Sequence, residues 1–397
     1  MMKMFSFTVK LLLFTCIAFS QTNSVTGIIV DADEGQSITG CNVFISNTTK
    51  GKVTDTAGRF TLYGIPEGKS YELVVSSAGY ETFTYAFSSA QLPLNLKVSL
   101  NRKILAMQNV TIVPVEIDGW IKWGPLFLKN FLGTSENALE CEIENTNIIE
   151  FRRNKKENRL EASADGFLVI KNYRLGFNIK YQLEQFIYDF KNKSLTYQGY
   201  PLFEEMEMEL PMPPKFGRRR LKAYNGSLIH FMRSLYSNSL KAEGFEARRM
   251  VRTIAYDTIM NDFRHTNLVL YDSTGKKIKM PAYYVKKAAK DNFGTTTLNS
   301  DSILFKGSDN IKDILSFDNY LVIRYLSESE PVEFSRQFMN RKSQHFQLTN
   351  FIILNEEKSI LIRPDGYYFP SLDLLIEGYL GWEKIGDLLP LDYYPPK

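Results

Sequence analysis

The stretch Thr54-Asp55-Thr56-Ala57-Gly58-Arg59-Phe60-Thr61-Leu62 restricts what this chain can fold into more than any other. An Asp early and a Gly late in a short polar run suit a type I turn closing a hairpin. Phe60 and Leu62 then alternate with Arg59 and Thr61, the period of a strand with one buried face. Gly64-Ile65-Pro66-Glu67-Gly68 is a second turn by composition. In the strand after it, Tyr71, Leu73 and Val75 alternate with Glu72 and Val74.

The same rhythm extends to both sides. Strand-like runs are expected at 25–30, 41–45, 60–62, 71–75, 81–87, 94–100 and 110–113, with turn residues such as Asp31-Ala32-Asp33-Glu34-Gly35 and Ala78-Gly79-Tyr80 between them. Seven short strands at this spacing predict an all-β sandwich over residues 21–114. The string Val25-x-Gly27, Thr39-Gly40-Cys41-Asn42-Val43, Gly51-x-Val53-Thr54-Asp55-x-x-Gly58-x-Phe60-x-Leu62, Ile65-Pro66-x-Gly68-x-x-Tyr71 and Ala78-Gly79-Tyr80 resembles the carboxypeptidase regulatory-like domain. That resemblance implies a seven-stranded, transthyretin-like (prealbumin-like) sandwich. Cys41 stands where Ala is more usual, and Ser37 where Pro often precedes the second strand.

The family name does not carry carboxypeptidase chemistry into this chain. A zinc site of that kind needs an H-x-x-E pair and a distant third ligand, leaving one position for water. The histidines are His230, His265 and His345, and the residues three positions later are Arg233, Leu268 and Leu348. No zinc ligand set and no other metal or cofactor motif is read from the sequence: there is no clustered Cys spacing, P-loop or G-x-G-x-x-G.

Ahead of the sandwich, Lys3 and Lys10 flank a start followed by Leu11-Leu12-Leu13-Phe14 and Cys16-Ile17-Ala18, with Ala18-Phe19-Ser20 as an A-x-S cleavage pattern. Residues 1–20 are expected to be a signal peptide, with Gln21 the first mature residue. The run is too short to span a bilayer, and Phe14-Thr15 fits a lipidation signal at Cys16 poorly. No later segment is apolar enough for a transmembrane helix. The expected location is therefore the periplasm or the periphery of the outer membrane. The formal net charge of +4 falls to +2 without the two leader lysines, which gives no argument for nucleic acid. Two cysteines remain, Cys41 and Cys141, 100 residues apart, and independent thiols are expected.

From about Glu116 the pattern changes, and residues 115–397 are expected to form a larger α+β domain. Trp120, Trp123, Phe127 and Phe131 sit at helical spacing through Leu132, and Gly133 stops that helix. Ser135–Leu139 starts a short helix. Strands follow at 148–151, 160–164, 167–170 and 176–190, where the alternation shifts phase and predicts a β-bulge near Glu184-Gln185. Residues 194–200 should pair back across Lys191-Asn192-Lys193. A long helix is expected over 218–240, a strand over 245–251, loop-rich chain over 255–315, and strands at 322–323, 351–354 and 360–362. Phe131-Leu132-Gly133-x-Ser135-x-Asn137-Ala138, Val169-Ile170-Lys171-Asn172-Tyr173-x-Leu175-Gly176-Phe177, Tyr197-x-Gly199-Tyr200-x-Leu202-Phe203 and Asp387-Leu388-Leu389-Pro390-Leu391-Asp392-Tyr393 are similar to bacterial envelope proteins described only as carboxypeptidase-like regulatory domain-containing. Those proteins bring no established catalytic residues.

The residue types allow few chemistries. A Cys141–His230 nucleophile pair has nothing in the sequence to bring it together, and no G-x-S-x-G elbow exists for a Ser-His-Asp site. Glu140, Glu142 and Glu144 alternate, so an extended strand would put three carboxylates on one face, as a solvated surface or as glycoside-hydrolase acids. Asp55 is read as a turn residue rather than a calcium ligand. The expectation is an exported envelope binding or scaffold protein with an envelope protein or glycan partner and no catalytic, cofactor or metal residue. The sandwich would serve as an interaction or spacer module, as at the front of the TonB-dependent receptors it resembles; the chain is too short for their barrel of roughly 22 strands. The alternative is a hydrolase of glycan or peptide acting through carboxylates of the second domain.

Overall fold

A computed structural model describes residues 23–66, 70–103, 113–207, 212–259, 269–271, 277–279, 284–307, 311–338 and 343–396. The expected leader lies outside the described residues. The chain divides into two compact units, Met1–Arg220 with Leu388–Lys397, and Leu221–Asp387.

In the first unit, β1 (Val25–Asp31), β2 (Asn42–Ile45), β3 (Gly51–Val53), β4 (Arg59–Leu62), β5 (Ser70–Ser76), β6 (Phe83–Ser88) and β7 (Leu94–Leu100) form two sheets, ordered β4-β1-β7 and β3-β2-β5-β6. β1 runs antiparallel to β4 and parallel to β7. β3 is a strand the alternation did not signal, and residues 110–112 of the last expected strand lie outside the described residues. Phe60, Leu62, Tyr71, Leu73 and Val75 fill the core between the sheets together with Val25, Ile29, Val43 and Cys41. The turn is built as its composition demands. The Asp55 carboxylate accepts from the N–H groups of Ala57 (2.9 Å) and Arg59 (2.8 Å), and Gly58 N–H donates to Asp55 O. Gly58 adopts φ +71°, and a Cβ there would stand 2.6 Å from Ile29 O. A glycine is therefore required for β1 to pass so close.

After the sandwich come α1 (Gly119–Phe131), α2 (Glu136–Leu139) and the strands β8 (Cys141–Ile143), β9 (Ile149–Asn154), β10 (Arg159–Ala164), β11 (Phe167–Asn172), β12 (Phe177–Asp189) and β13 (Ser194–Glu205). They make a six-stranded sheet in which β12 holds the centre, pairing β11 and β10 along one side and β13 along the other. The register slips between Leu183 and Gln185, where the phase of the apolar alternation changes. Phe127 and Phe131 of α1 are fully buried against Phe186 (4.8 Å between ring centroids) and Tyr181 (5.0 Å). The helical aromatic spacing thus marks the face that covers the sheet.

The sandwich shares its unit with this sheet. Val74, on the face of β5 opposite the sandwich core, is buried with Phe44 and Leu202 rather than exposed. The Phe44 ring meets that of Phe167 at a tilt of 59° with centroids 5.5 Å apart, and the buried Ser76 hydroxyl donates to Gln182 Oε1 at 2.6 Å. The turn between β2 and β3 is a three-way junction. Asn47 N–H donates to Pro201 O (2.8 Å), Phe203 N–H donates to Thr48 O (3.0 Å), and Leu391 N–H of the C-terminal segment donates to Asn47 O (2.6 Å). Asp392 accepts from Thr49 N–H at 3.1 Å.

α3 (Pro214–Tyr224) begins in this unit, where Arg220 is buried 3.9 Å over the Phe177 ring. Its guanidinium donates to Leu175 O (2.7 Å) and to both carboxylate oxygens of Glu205 (2.8 and 2.6 Å). Arg220→Ala is expected to leave the Leu175 carbonyl unpaired and cost about 1–3 kcal/mol, read as a lowered denaturation midpoint. An unchanged midpoint would show that the fork is dispensable.

The expected helix over 218–240 is corrected to two helices, α3 and α4 (Leu228–Tyr236). Gly226 turns left-handed at φ +75°, and the Ser227 hydroxyl caps α4 by accepting from His230 N–H at 3.2 Å. The second unit then carries β14 (Phe245–Ile259), β15 (Val269–Tyr271), β16 (Lys277–Lys279), β17 (Tyr284–Phe293), β18 (Leu304–Lys306), β19 (Lys312–Ser316), β20 (Tyr320–Tyr325), α5 (Val332–Phe338), β21 (Gln347–Ile353), β22 (Ser359–Ile362), β23 (Tyr368–Phe369), β24 (Leu374–Gly378) and α6 (Tyr379–Trp382). Its sheets are ordered β17-β14-β20-β21-β24 and β18-β19-β22-β23, with β15 and β16 paired as a hairpin. Strands occupy much of 255–315, where loops were expected, because its polar residues hide a ladder between β14 and β17. Phe231, Met232 and Leu235 of α4 pack with Phe245, Leu321, Ile323 and Phe351 in the core. Among the described residues no helix is long and apolar enough to cross a membrane.

Candidate functional site

The three carboxylates singled out by alternation do not share a strand face. Only Glu142 lies in β8; Glu140 caps the C-terminus of α2, and Glu144 follows the strand. The short helix consumes the residues that an extended run would need. Each carboxylate has its own partner: Arg174 Nη1 for Glu140 (2.7 Å), the Tyr173 hydroxyl for Glu142 (3.2 Å) and Lys171 Nζ for Glu144 (2.5 Å). This is a paired, solvated surface, and Asp55 is occupied by its own turn.

Cys41 and Cys141 are free thiols. Cys41 is buried in the sandwich core, and burial pushes its thiol pKa up. Cys141 Sγ donates to Asn137 O at 3.3 Å. His230 belongs to the second unit and is part of its architecture. Its Nδ1 accepts from Gly226 N–H at 3.1 Å, which assigns the ring proton to Nε2, 3.2 Å from Glu243 Oε2. The ring stacks on Tyr224 at 4.7 Å and meets Phe245 edge-on. Burial lowers its pKa, with Glu243 opposing. His345 lies on an exposed bend before β21, and His265 lies outside the described residues.

The carboxyls with raised pKa that sequence reasoning missed are in the second unit. Gln347, only 3% exposed at the start of β21, donates through Nε2 to Glu328 Oε2 at 3.3 Å. Burial raises the Glu328 pKa, against the pull of Gln347, Lys222 and Asn225. Glu383, directly after α6, is raised well above the ordinary carboxylate range by burial, with Asp387 and Glu328 adding like charge. Burial pulls the Lys384 ammonium down to about 8, with Asp387 opposing, and its Nζ donates to Gly381 O at 2.5 Å. Carboxyls that keep their protons above the usual range are able to act as general acids. Neither Glu328, in a Ser-Glu-Ser-Glu run, nor Glu383, in a terminal helical turn, has a spacing that marks it; only the burial does.

Comparison with known proteins places one segment securely. Among solved structures, the chain is similar to a type II cohesin–X-dockerin complex mutant from Acetivibrio cellulolyticus, at 25% identity over 19% of this chain and 51% of that one, TM-score 0.15. A 9R-lipoxygenase from Cyanothece PCC8801 aligns at 11% identity over 55% of this chain and 48% of that one, TM-score 0.18. A putative membrane-associated protein of unknown function from Bacteroides fragilis NCTC 9343 aligns at 11% identity over 89% and 93%, TM-score 0.17. The chain thus spans about half the length of the first two, and at these TM-scores none of the three carries an argument about fold or function. Comparison with curated proteins found no match. The family model described as CarboxypepD_reg-like domain matches residues 25–112, the span that holds both sheets of the sandwich. Residues 25–112 of this chain are a carboxypeptidase regulatory-like domain.

Proposed function

We propose that this chain is an exported cell-envelope binding or scaffold protein, in the periplasm or at the periphery of the outer membrane, with an envelope protein or glycan as its partner. In this reading residues 1–20 are a cleaved signal peptide, the regulatory-like module is a seven-stranded transthyretin-like sandwich, and the remainder is α+β. The observation that carries it is the junction at the β2–β3 turn, where Asn47, Thr48 and Thr49 tie together β13 and the C-terminal segment. The module organises its neighbours through backbone hydrogen bonds, as a scaffold element does. Affinity capture from intact envelopes is expected to retain a defined partner, and alanine at Glu140, Glu142 and Glu144 is expected to leave that capture unchanged. N-terminal sequencing of the exported form should begin at Gln21.

A hydrolase acting on glycan or peptide is the second reading, and the raised carboxyls of Glu328 and Glu383 favour it. Turnover of an envelope glycan or peptide that Glu328→Gln or Glu383→Gln abolishes in folded protein would replace the scaffold reading with this one.

A further inference from the structure

β14 is fifteen residues long, but β20 pairs only with Phe245–Met250. From Val251 outward its described partner is β17 alone, in an antiparallel ladder that reaches the Ile259–Tyr284 rung. Nine residues at about 3.4 Å each give a two-stranded ribbon that runs roughly 30 Å past the β20 ladder. The β15–β16 hairpin lies between its two strands in sequence.

The composition of this ribbon differs from that of the rest of the molecule. Beyond the Arg252–Asp291 rung, the described residues of β14 to β17 (253–259, 269–271, 277–279 and 284–290) include five lysines and a single acid, Asp257. In the chain from Gln21 the remaining 41 Lys and Arg stand against 43 Asp and Glu, so these strands carry +4 while the rest carries −2. Register sets Lys287 across from Tyr256, Lys277 across from Tyr271 and Lys290 across from Thr253; only Lys286 stands across from an acid. Ile254, Ile259, Leu270, Ile278 and Val285 complete a pattern of lysine, tyrosine and aliphatic residues.

We propose that the β14–β17 ribbon docks on an anionic phospholipid surface. Lysine offers a long apolar stem with a charged head, and tyrosine an apolar ring with a polar tip; both suit the headgroup level of a bilayer. Among the described residues the ribbon has no further strand on either edge beyond Val251, and hydrocarbon cannot satisfy the backbone groups of such edges. It therefore rests at the headgroups instead of spanning the bilayer. The inference rests on the export reading for its choice of lipid over nucleic acid.

The test is co-sedimentation of the purified chain from Gln21 with phosphatidylcholine vesicles, with and without phosphatidylglycerol, at low and high salt. Binding is expected only with phosphatidylglycerol and is expected to weaken with salt. Lys286→Glu/Lys287→Glu/Lys290→Glu is expected to bind about 100-fold more weakly, at about fivefold per lysine. Lys52→Glu/Lys97→Glu/Lys129→Glu, an equal charge change at exposed positions elsewhere, is expected to stay within about threefold of the parent. Matched thermal melts establish that both variants fold. Equal binding with and without phosphatidylglycerol, equal loss in both variants, or retention on DNA or an acidic peptide without vesicle binding would each overturn the proposal. An uncleaved, unexported chain in cells would sink the export reading alone, because the vesicle measurement uses purified protein.

Discussion

Gly226→Ala is expected to destabilise the second unit by about 2–5 kcal/mol. The residue sits at φ +75°, where an L side chain costs about 1–2 kcal/mol. Its Cβ would stand 2.5 Å from Gln347 Oε1 and 2.6 Å from Tyr325 Cδ1, and overpacking of that kind costs about 1–3 kcal/mol more. Both neighbours are themselves buried in the strands β20 and β21, so they have little room to yield. The strain also falls on the Gly226 N–H that fixes the His230 tautomer. Thermal denaturation should show a midpoint lowered by roughly 5–15 °C. Gly217→Ala is the internal control. Gly217 lies inside α3 with nothing within 4 Å of its added Cβ, and the change there is expected to be neutral or stabilising by up to about 1 kcal/mol. Equal melting of the two variants would refute this account of the α3–α4 break.

Glu383→Gln is expected to stabilise the protein at neutral pH, and the gain should vanish on acidification. Burial and the like charges of Asp387 and Glu328 raise the folded-state pKa of Glu383. Between the unfolded value, 4.5, and that raised value, the folded state holds a proton that the unfolded chain has released. Stability from this group is therefore complete below pH 4.5 and declines as pH rises, by up to about 1.4 kcal/mol per pH unit. Glutamine cannot ionise, so the variant should lose this slope while keeping the shape of the side chain. Two other groups bound the usable window. Asp31 is held well below the ordinary carboxylate range by backbone N–H groups, led by that of Glu34, and by Arg102, so it weakens the fold only in acid below pH 3.8. Lys384, pulled down to about 8, makes stability rise between pH 8 and 10.5, where the unfolded chain binds the extra proton. His230, whose pKa burial lowers from 6.5, makes stability rise with pH inside this window, so urea denaturation between pH 5 and 7.5 reads Glu383 as the difference between the parent and variant profiles. Parallel pH profiles for parent and variant would show that Glu383 is solvated.

Much of the fold is legible because short-range rules decide it. Asp55 and Gly58 specify a turn by their own hydrogen bonding and φ, and Phe60, Leu62, Tyr71, Leu73 and Val75 specify a face by period. The slip between Leu183 and Gln185 is visible as a phase shift because side-chain direction along a strand has a period of two. Errors arose where a local signal competes with a stronger one. Apolar spacing over 218–240 suggested one helix, yet a left-handed glycine followed by a capping serine breaks it. Glu140, Glu142 and Glu144 alternate as a strand would, but Ser135 caps a helix that draws Glu140 away. The ladder joining β14 to β17 is hidden because its strands alternate weakly and pair across more than twenty intervening residues.

By itself the sequence determined the regulatory-like sandwich, its turn chemistry, the aromatic helix that covers the following sheet and the absence of an H-x-x-E zinc pair. Those features depend on residues near one another in the chain. Only the tertiary structure decided that Val74 is buried on the outer face of β5, that the β2–β3 turn holds the C-terminal segment, and that the Glu328 and Glu383 carboxyls are raised in pKa. Burial and proximity between distant segments set those properties, and a one-dimensional pattern does not encode which surfaces will meet. The opening turn and strand thus fix the first module, while the chemistry open to the chain is set by contacts made more than a hundred residues away.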